Sequence, residues 1–298
     1  MKKMFIVAWL SLVSTAIHAQ QFEDFFIEQT LRIDYVFTGN DHEEKIALDE
    51  LSVIPGWAGR RHHLSEMPLK SHGQIIMRDK ATGQVIYTTS FSSLFQEWTA
   101  TGEAKELTKS FENCFLVPFP KMKAEVEITL MNYRHEAVAS LKHIVDPSDI
   151  LIHQKGKEHV TPHKYMVKNG TPEECIDIAI LAEGYKQNEM DLFYEDAAKV
   201  SEFLFSYEPF KSLQHKFNFV AVASPSEDSG VSVPKRGEWK QTAFSSNYST
   251  FYSDCRSLPS YYQKTQKIFK RQALSSYIAP FYIPSCRKYC KPYKCCFD

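Results

Sequence analysis

The hydrophobic pattern of this chain changes period partway along, and that change limits the folds open to it. From residue 32 to about residue 146, apolar residues alternate with polar ones, as in strands with one wet face. Ile33, Tyr35 and Phe37 alternate with Arg32, Asp34 and Thr38. Residues 74–78 and 84–88 are short runs joined by a polar connector ending in Gly83, which predicts a hairpin. In 125–132, Val126, Ile128 and Leu130 fall on one side, and 138–145 follows after the polar connector 133–136. Several strands at this spacing, without long helical patterns, predict an antiparallel β-sandwich over 21–148. Phe25, Phe26, Phe91, Phe95 and Trp98 read as its core rather than as a carbohydrate platform.

Residues 149–174 read as a linker. Asp146-Pro147-Ser148-Asp149 is turn chemistry, and 155–157 and 169–172 are polar and rich in breakers. Beyond it the pattern changes. Residues 176–182 form an apolar run interrupted only by Asp177, as in a strand buried on both faces. Asn188 is placed as a helix N-cap with Asp191 three residues on, and Phe193, Ala197, Val200 and Leu204 follow at helical spacing. Pro209 is expected to end that helix, and 217–223 is the next apolar run. Strand, helix, strand predicts a βαβ unit in a second, α/β domain over 175–255. The loop 224–230 then falls at the carboxyl end of the second strand, where open α/β sheets commonly bind ligands. An ordinary polar loop is the simpler reading.

Composition excludes several classes. The 298 residues are 43% hydrophobic and 24% charged with a formal net charge of −1, which suits folded domains rather than a disordered chain. Near-neutral charge gives no electrostatic case for nucleic acid or an anionic membrane as the main partner. No repeat with a period of about 20–50 residues is visible.

At the N-terminus, Lys2 and Lys3 precede an apolar stretch over 4–17, and Ala19 stands before Gln20 and Gln21. This is the layout of a signal peptide over 1–19, with no transmembrane segment expected after its cleavage and an exported product. An uncleaved membrane anchor is the alternative. Export bears on the seven cysteines, Cys114, Cys175, Cys255, Cys286, Cys290, Cys295 and Cys296, because an odd number cannot all pair within one chain. The last four lack the paired C-x-x-C knuckles of a zinc site. Cys175, beside an apolar strand, reads as a buried small hydrophobe.

Catalytic signatures are mostly missing. The sequence has no G-x-S-x-G elbow, no phosphate-binding Gly-rich loop and no G-x-G-x-x-G. In H-E-x-x-H two imidazoles one helical turn apart hold a metal and the Glu activates its water. His42-Glu43 and His135-Glu136 begin that pattern, but Ile46 and Ala139 occupy the position of the second His. His159 and His163 have i, i+4 spacing with Glu158 before them, and Pro162 disfavours the helix such a site needs. Glu183, Glu227 and Asp228, near the strand ends, are carboxylates that could do acid–base work if the fold brought them together. No catalytic, cofactor-binding or metal residue is assigned on these grounds.

From 256 to 297 the chain has no Asp, Glu or Gly, whereas the upstream density predicts about six acids. The same stretch holds nine Lys and Arg, six Tyr and four Cys. Either it is a basic tail for an anionic partner, or its reading frame has changed.

As a whole, residues 21–254 resemble the front part of the IgA peptidase family of secreted bacterial zinc metallopeptidases, the sixty-fourth family of metallopeptidases. The first portion is similar to that family's N-terminal β-sandwich. In the second, Ile176-Asp177-Ile178-Ala179-Ile180-Leu181-Ala182-Glu183-Gly184-Tyr185 resembles its first strand and turn. Asn218-Phe219-Val220-Ala221-Val222-Ala223-Ser224-Pro225-Ser226-Glu227-Asp228-Ser229-Gly230-Val231 resembles its second strand and loop. Thr242-Ala243-Phe244, followed by 248–252, resembles the next segment.

The resemblance implies an incomplete α/β, zincin-like metallopeptidase domain, a protein or peptide substrate, and zinc as cofactor in full-length members. The family's zinc helix lies beyond the resembling region, and similarity is expected to fade at Arg256. No metal ligand or catalytic Glu is therefore carried over onto any residue here. The chain itself is expected to be an inactive fragment that binds no cofactor, with a divergent, Cys-rich tail over 256–298 and an incomplete core around 217–223. The alternative function is an exported β-sandwich module that binds host protein or glycan.

Overall fold

The computed structural model describes residues 21–155, 161–171, 174–249, 258–259 and 279–284. The expected signal peptide, Glu158, His159, and the cysteines at 255, 286, 290, 295 and 296 lie outside the described residues.

A short helix α1 (Phe22–Phe25) leads into β1 (Phe26–Gly39), and β2 (Glu44–Pro55) returns antiparallel to it. β3 (Gly73–Asp79) and β4 (Val85–Phe91) form the expected hairpin. Its turn is built by Asp79, whose Oδ1 accepts from the amides of Ala81 (3.1 Å) and Thr82 (2.7 Å), with Gly83 at φ +74°. α2 (Leu94–Thr99), capped by Ser93 Oγ, carries Phe95 and Trp98 into the core. β5 (Lys109–Pro120) pairs with β1, while β6 (Ala124–Met131) and β7 (Ala137–Val145) pair antiparallel as a second hairpin. β8 (His153–Gln154) adds to β2 in parallel.

The result is two four-stranded sheets, ordered β5-β1-β2-β8 and β4-β3-β6-β7. One core lies between them: Leu31, Ile33, Tyr35 and Phe37 from β1 face Ile75 and Met77 from β3 and Val126, Ile128 and Leu130 from β6. The period of two puts these side chains on one face, and each one buried contributes about 1.5–3 kcal/mol. Phe26 belongs to the same core, and Phe25 and Phe91 pack against it, as expected of that aromatic cluster.

The second sheet system begins inside the stretch expected to be a linker. β9 (His163–Val167) runs antiparallel to β11 (Phe217–Val222), so 149–174 supplies a strand to each unit rather than only spacing them. His163 therefore sits on a strand, not on a helix that could present an i, i+4 pair. β10 (Ile176–Glu183) lies parallel to β11 and also parallel to β14 (Ala279–Pro284), giving the order β14-β10-β11-β9. β12 (Ser246–Asn247) and β13 (Leu258–Pro259) form a separate short pair.

Between β10 and β11 runs α3 (Met190–Leu204). Alternate strand residues divide the apolar side chains between two faces. Ile178, Ile180, Ala182, Phe219 and Ala221 meet Phe193 and Ala197 of the helix. Ala179, Leu181, Val220 and Val222 meet Phe244 on the other side. Residues 217–223, expected to be left with an incomplete core, are all buried.

Two details of the helix differ from expectation. Asn188 lies inside a 3-10 turn (Gln187–Glu189) rather than capping the helix, and the Lys186 amide donates to Glu189 Oε2 at 2.8 Å. The helix also ends at Leu204, before Pro209 is reached. The residue preceding a proline disfavours helical geometry, so the chain must leave the helix before Glu208. It does so through i−3 bonds from Ser206 and Tyr207. Among the described residues, no helix is long and apolar enough to cross a membrane.

Candidate functional site at the carboxyl edge of the second sheet

β10 ends at Glu183 and is followed by Gly184 and Tyr185, and β11 runs on into the loop 224–230. Side by side in a parallel sheet, these two ends place their loops against each other. At Gly184 the two backbones approach closely. The Gly230 amide donates to the Gly184 carbonyl at 2.8 Å, and a Cβ on Gly184 would lie 2.4 Å from the Gly230 oxygen. Only glycine fits there, at φ +74°.

Two serines stitch the edge. Ser224 Oγ donates to the Ala182 carbonyl at 2.8 Å. Ser226 Oγ accepts from the amides of Gly184 and Ala243, each at 3.0 Å, while the Ser226 amide donates to the Tyr185 carbonyl at 2.8 Å. Further along, Asp228 and Gln241 exchange bonds: the Asp228 amide donates to the Gln241 carbonyl at 3.0 Å, and the Gln241 amide to Asp228 Oδ2 at 2.8 Å. Residues 233–240 form a hairpin-like excursion beyond this base, closed by the Val233–Glu238 bridge and turned at Gly237. Trp239 on it is 71% exposed.

The three carboxylates singled out from sequence do not converge. Glu183 is fully buried at the end of β10. It accepts from Thr242 Oγ1 (2.6 Å, Oε1), the Ser246 amide (2.8 Å, Oε1) and the Phe244 amide (2.9 Å, Oε2). Asp228 is committed to Gln241, and Glu227 is exposed. Cys175, expected to be buried, is half-buried, with its thiol directed at the His215 carbonyl at 3.8 Å. Both described cysteines, Cys114 and Cys175, are free, and burial pushes the Cys114 thiol up to about 12, away from thiolate chemistry at neutral pH.

Sequence reasoning passed over Ser226 and Thr242 as functional positions. The available signal was the recurrence of serine at 224, 226, 229 and 232 around Gly230, a composition suited to close backbone contact. Among the described residues, no three His, Cys, Asp or Glu side chains gather where a metal ion could sit. The residues of this edge do not fit a zinc centre, and what they do chemically is to fasten one loop to another.

Comparison with known families places both units. Residues 21–142 match the family described as Peptidase M64 N-terminus, and residues 165–289 match IgA Peptidase M64. The second match begins within β9 and continues past Arg256, where the resemblance was expected to end. Residues 256–289 of the acid-free stretch lie within the matched family sequence. No curated protein matches the chain. Two successive matches on two successive sheet systems lead to one conclusion: the chain belongs to the IgA peptidase M64 family.

Proposed function

We propose that this chain carries the N-terminal β-sandwich and the opening part of a zincin-like catalytic domain of an exported zinc metallopeptidase. The observation that supports this reading is the order of the family matches, first on the sandwich and then on the sheet that contains β9, β10, β11 and β14. Export rests on Lys2, Lys3, the apolar stretch over 4–17 and Ala19. The substrate class is protein or peptide, and the family's cofactor is zinc.

Hydrolysis by zinc-activated water needs a metal-binding constellation with a carboxylate beside it. The 298 residues contain no H-E-x-x-H, and Glu183 is occupied by internal donors. We therefore read the chain as the family's scaffold without its water-activating residues, inactive as a peptidase. The test is elemental analysis of the purified chain together with cleavage of a denatured protein substrate, with and without a chelator. Sub-stoichiometric zinc and no chelator-sensitive cleavage are expected. One zinc per chain with hydrolysis abolished by the chelator would overturn the inactive reading.

A further inference from the structure

We infer that Glu183 is a positioning residue: its carboxylate is the resident anion of a backbone anion site formed by residues 242–246, and it fastens that loop to the end of β10. The geometry is one-sided. Thr242 Oγ1 and the amides of Phe244 and Ser246 all donate to the carboxylate, and they come from one five-residue segment far along the chain from Glu183. Between the two donating amides stands Ser245 at φ +55°, a conformation L residues seldom adopt. A residue turned into the left-handed region swings alternate amides toward one point, which is how peptide backbones cradle anions.

An ionised carboxylate offers acceptors only and matches a set of donors only. A general acid must instead carry a proton that it can release to substrate, and a general base must be reachable. Here both oxygens face N–H or O–H groups and the side chain has no exposure to solvent. The acid–base role open to Glu183 from sequence is thus replaced by an anchoring one. Phe244, carried on the same segment, is fully buried against the face of the sheet opposite α3. Fixing the amides fixes that ring.

This inference does not depend on the peptidase reading, and its test uses neither zinc nor activity. Hydrogen exchange by mass spectrometry is followed on the full chain, on Glu183→Gln and on Glu183→Ala. Glu183→Gln is nearly isosteric but turns one acceptor into an N–H facing a donor. Exchange in peptides covering 240–249 is expected to rise about 10- to 100-fold in both variants, with protection over 26–145 unchanged. In Glu183→Ala the shortened side chain leaves room for a small anion beside the same donors. Formate is expected to slow the exchange again, and chloride at equal ionic strength is not. If Glu183→Gln exchanges over 240–249 like the parent chain, or if formate does no more than chloride in a folded Glu183→Ala, the inference fails. Should Glu183→Ala not fold, Glu183→Gln decides alone.

Discussion

Replacing Gly184 by Ala places a methyl carbon 2.4 Å from the carbonyl oxygen of Gly230, 2.8 Å from its carbonyl carbon and 3.2 Å from its Cα. All three are backbone atoms, so relief comes only from separating the β10 turn from the loop that follows β11. That separation works against the 2.8 Å bond from the Gly230 amide to the Gly184 carbonyl. Gly237 provides the control within the same unit: its φ is +68° against +74° for Gly184, and a Cβ there meets nothing within 4 Å. Gly237→Ala therefore reports the conformational cost alone, about 1–2 kcal/mol. Gly184→Ala adds the cost of forcing backbone apart and of the weakened hydrogen bond, for a total of about 3–6 kcal/mol. Urea unfolding of the second unit, read by hydrogen exchange in peptides covering 176–189 and 217–231, separates the two. Equal shifts for the two variants would refute the close approach as the reason for glycine at 184.

Two further predictions concern buried polar pairs. His143 on β7 meets the Tyr35 hydroxyl across the sandwich at 2.6 Å, and burial holds its imidazole below the ordinary value of 6.5. Because the folded value lies below the unfolded one, the contribution of neutral His143 is complete above pH 6.5 and is lost as pH falls through the folded value, with a slope of at most about 1.4 kcal/mol per pH unit. Urea midpoints between pH 5 and 7.5 are expected to fall less steeply in His143→Phe than in the parent, and parallel curves would contradict this. Asn218, 1% exposed, accepts from the amides of Asn169 (2.7 Å) and Gly170 (3.3 Å) and donates to the Gly170 carbonyl (3.1 Å) and Asp177 Oδ1 (2.7 Å). Asn218→Ala removes all four of these bonds and is expected to cost about 2–4 kcal/mol. Limited proteolysis should then cut between 164 and 175 while 21–145 stays resistant, and undiminished resistance there would rule it out.

What could be read in advance was what the period of side chains determines locally. The alternation of Ile33, Tyr35 and Phe37, the hairpin at 79–83 and the apolar run at 176–182, buried from Asp177 on, each carry their own signal, and each is a strand or turn. β8 and β9 carry none: they are two and five residues long, and their place comes from partners distant in sequence. The helix start was misplaced for a related reason. Asn188 is a good capping residue by type, yet the bond from the Lys186 amide to Glu189 begins the turn earlier. Glu183 is the hardest case. At the end of an apolar run it reads as a site carboxylate, and nothing local shows that three donors from 242–246 will close on it.

That closure follows from what a parallel pair requires. β10 and β11 are apolar on both faces, so both must be covered. One face receives the fifteen residues of α3, whose amides beyond the first turn are satisfied along the helix. Among the described residues, the other face receives Phe244, with Ala243 and Tyr165 partly buried beside it. Phe244 and Ala243 arrive on a loop outside any regular strand, so their amides have no ladder to join once the ring is buried. An unmet buried amide would cost about 1–3 kcal/mol, enough to keep the ring in solvent-facing conformations for part of the time. Ser226 Oγ takes the Ala243 amide, and the Glu183 carboxylate takes those of Phe244 and Ser246. A carboxylate buried in this way is a weak source of net stability, since its own desolvation offsets most of what it gains. Its effect is on position: it makes one seat for Phe244 much better than any other, and so sets where the loop after β11 crosses the edge of the sheet.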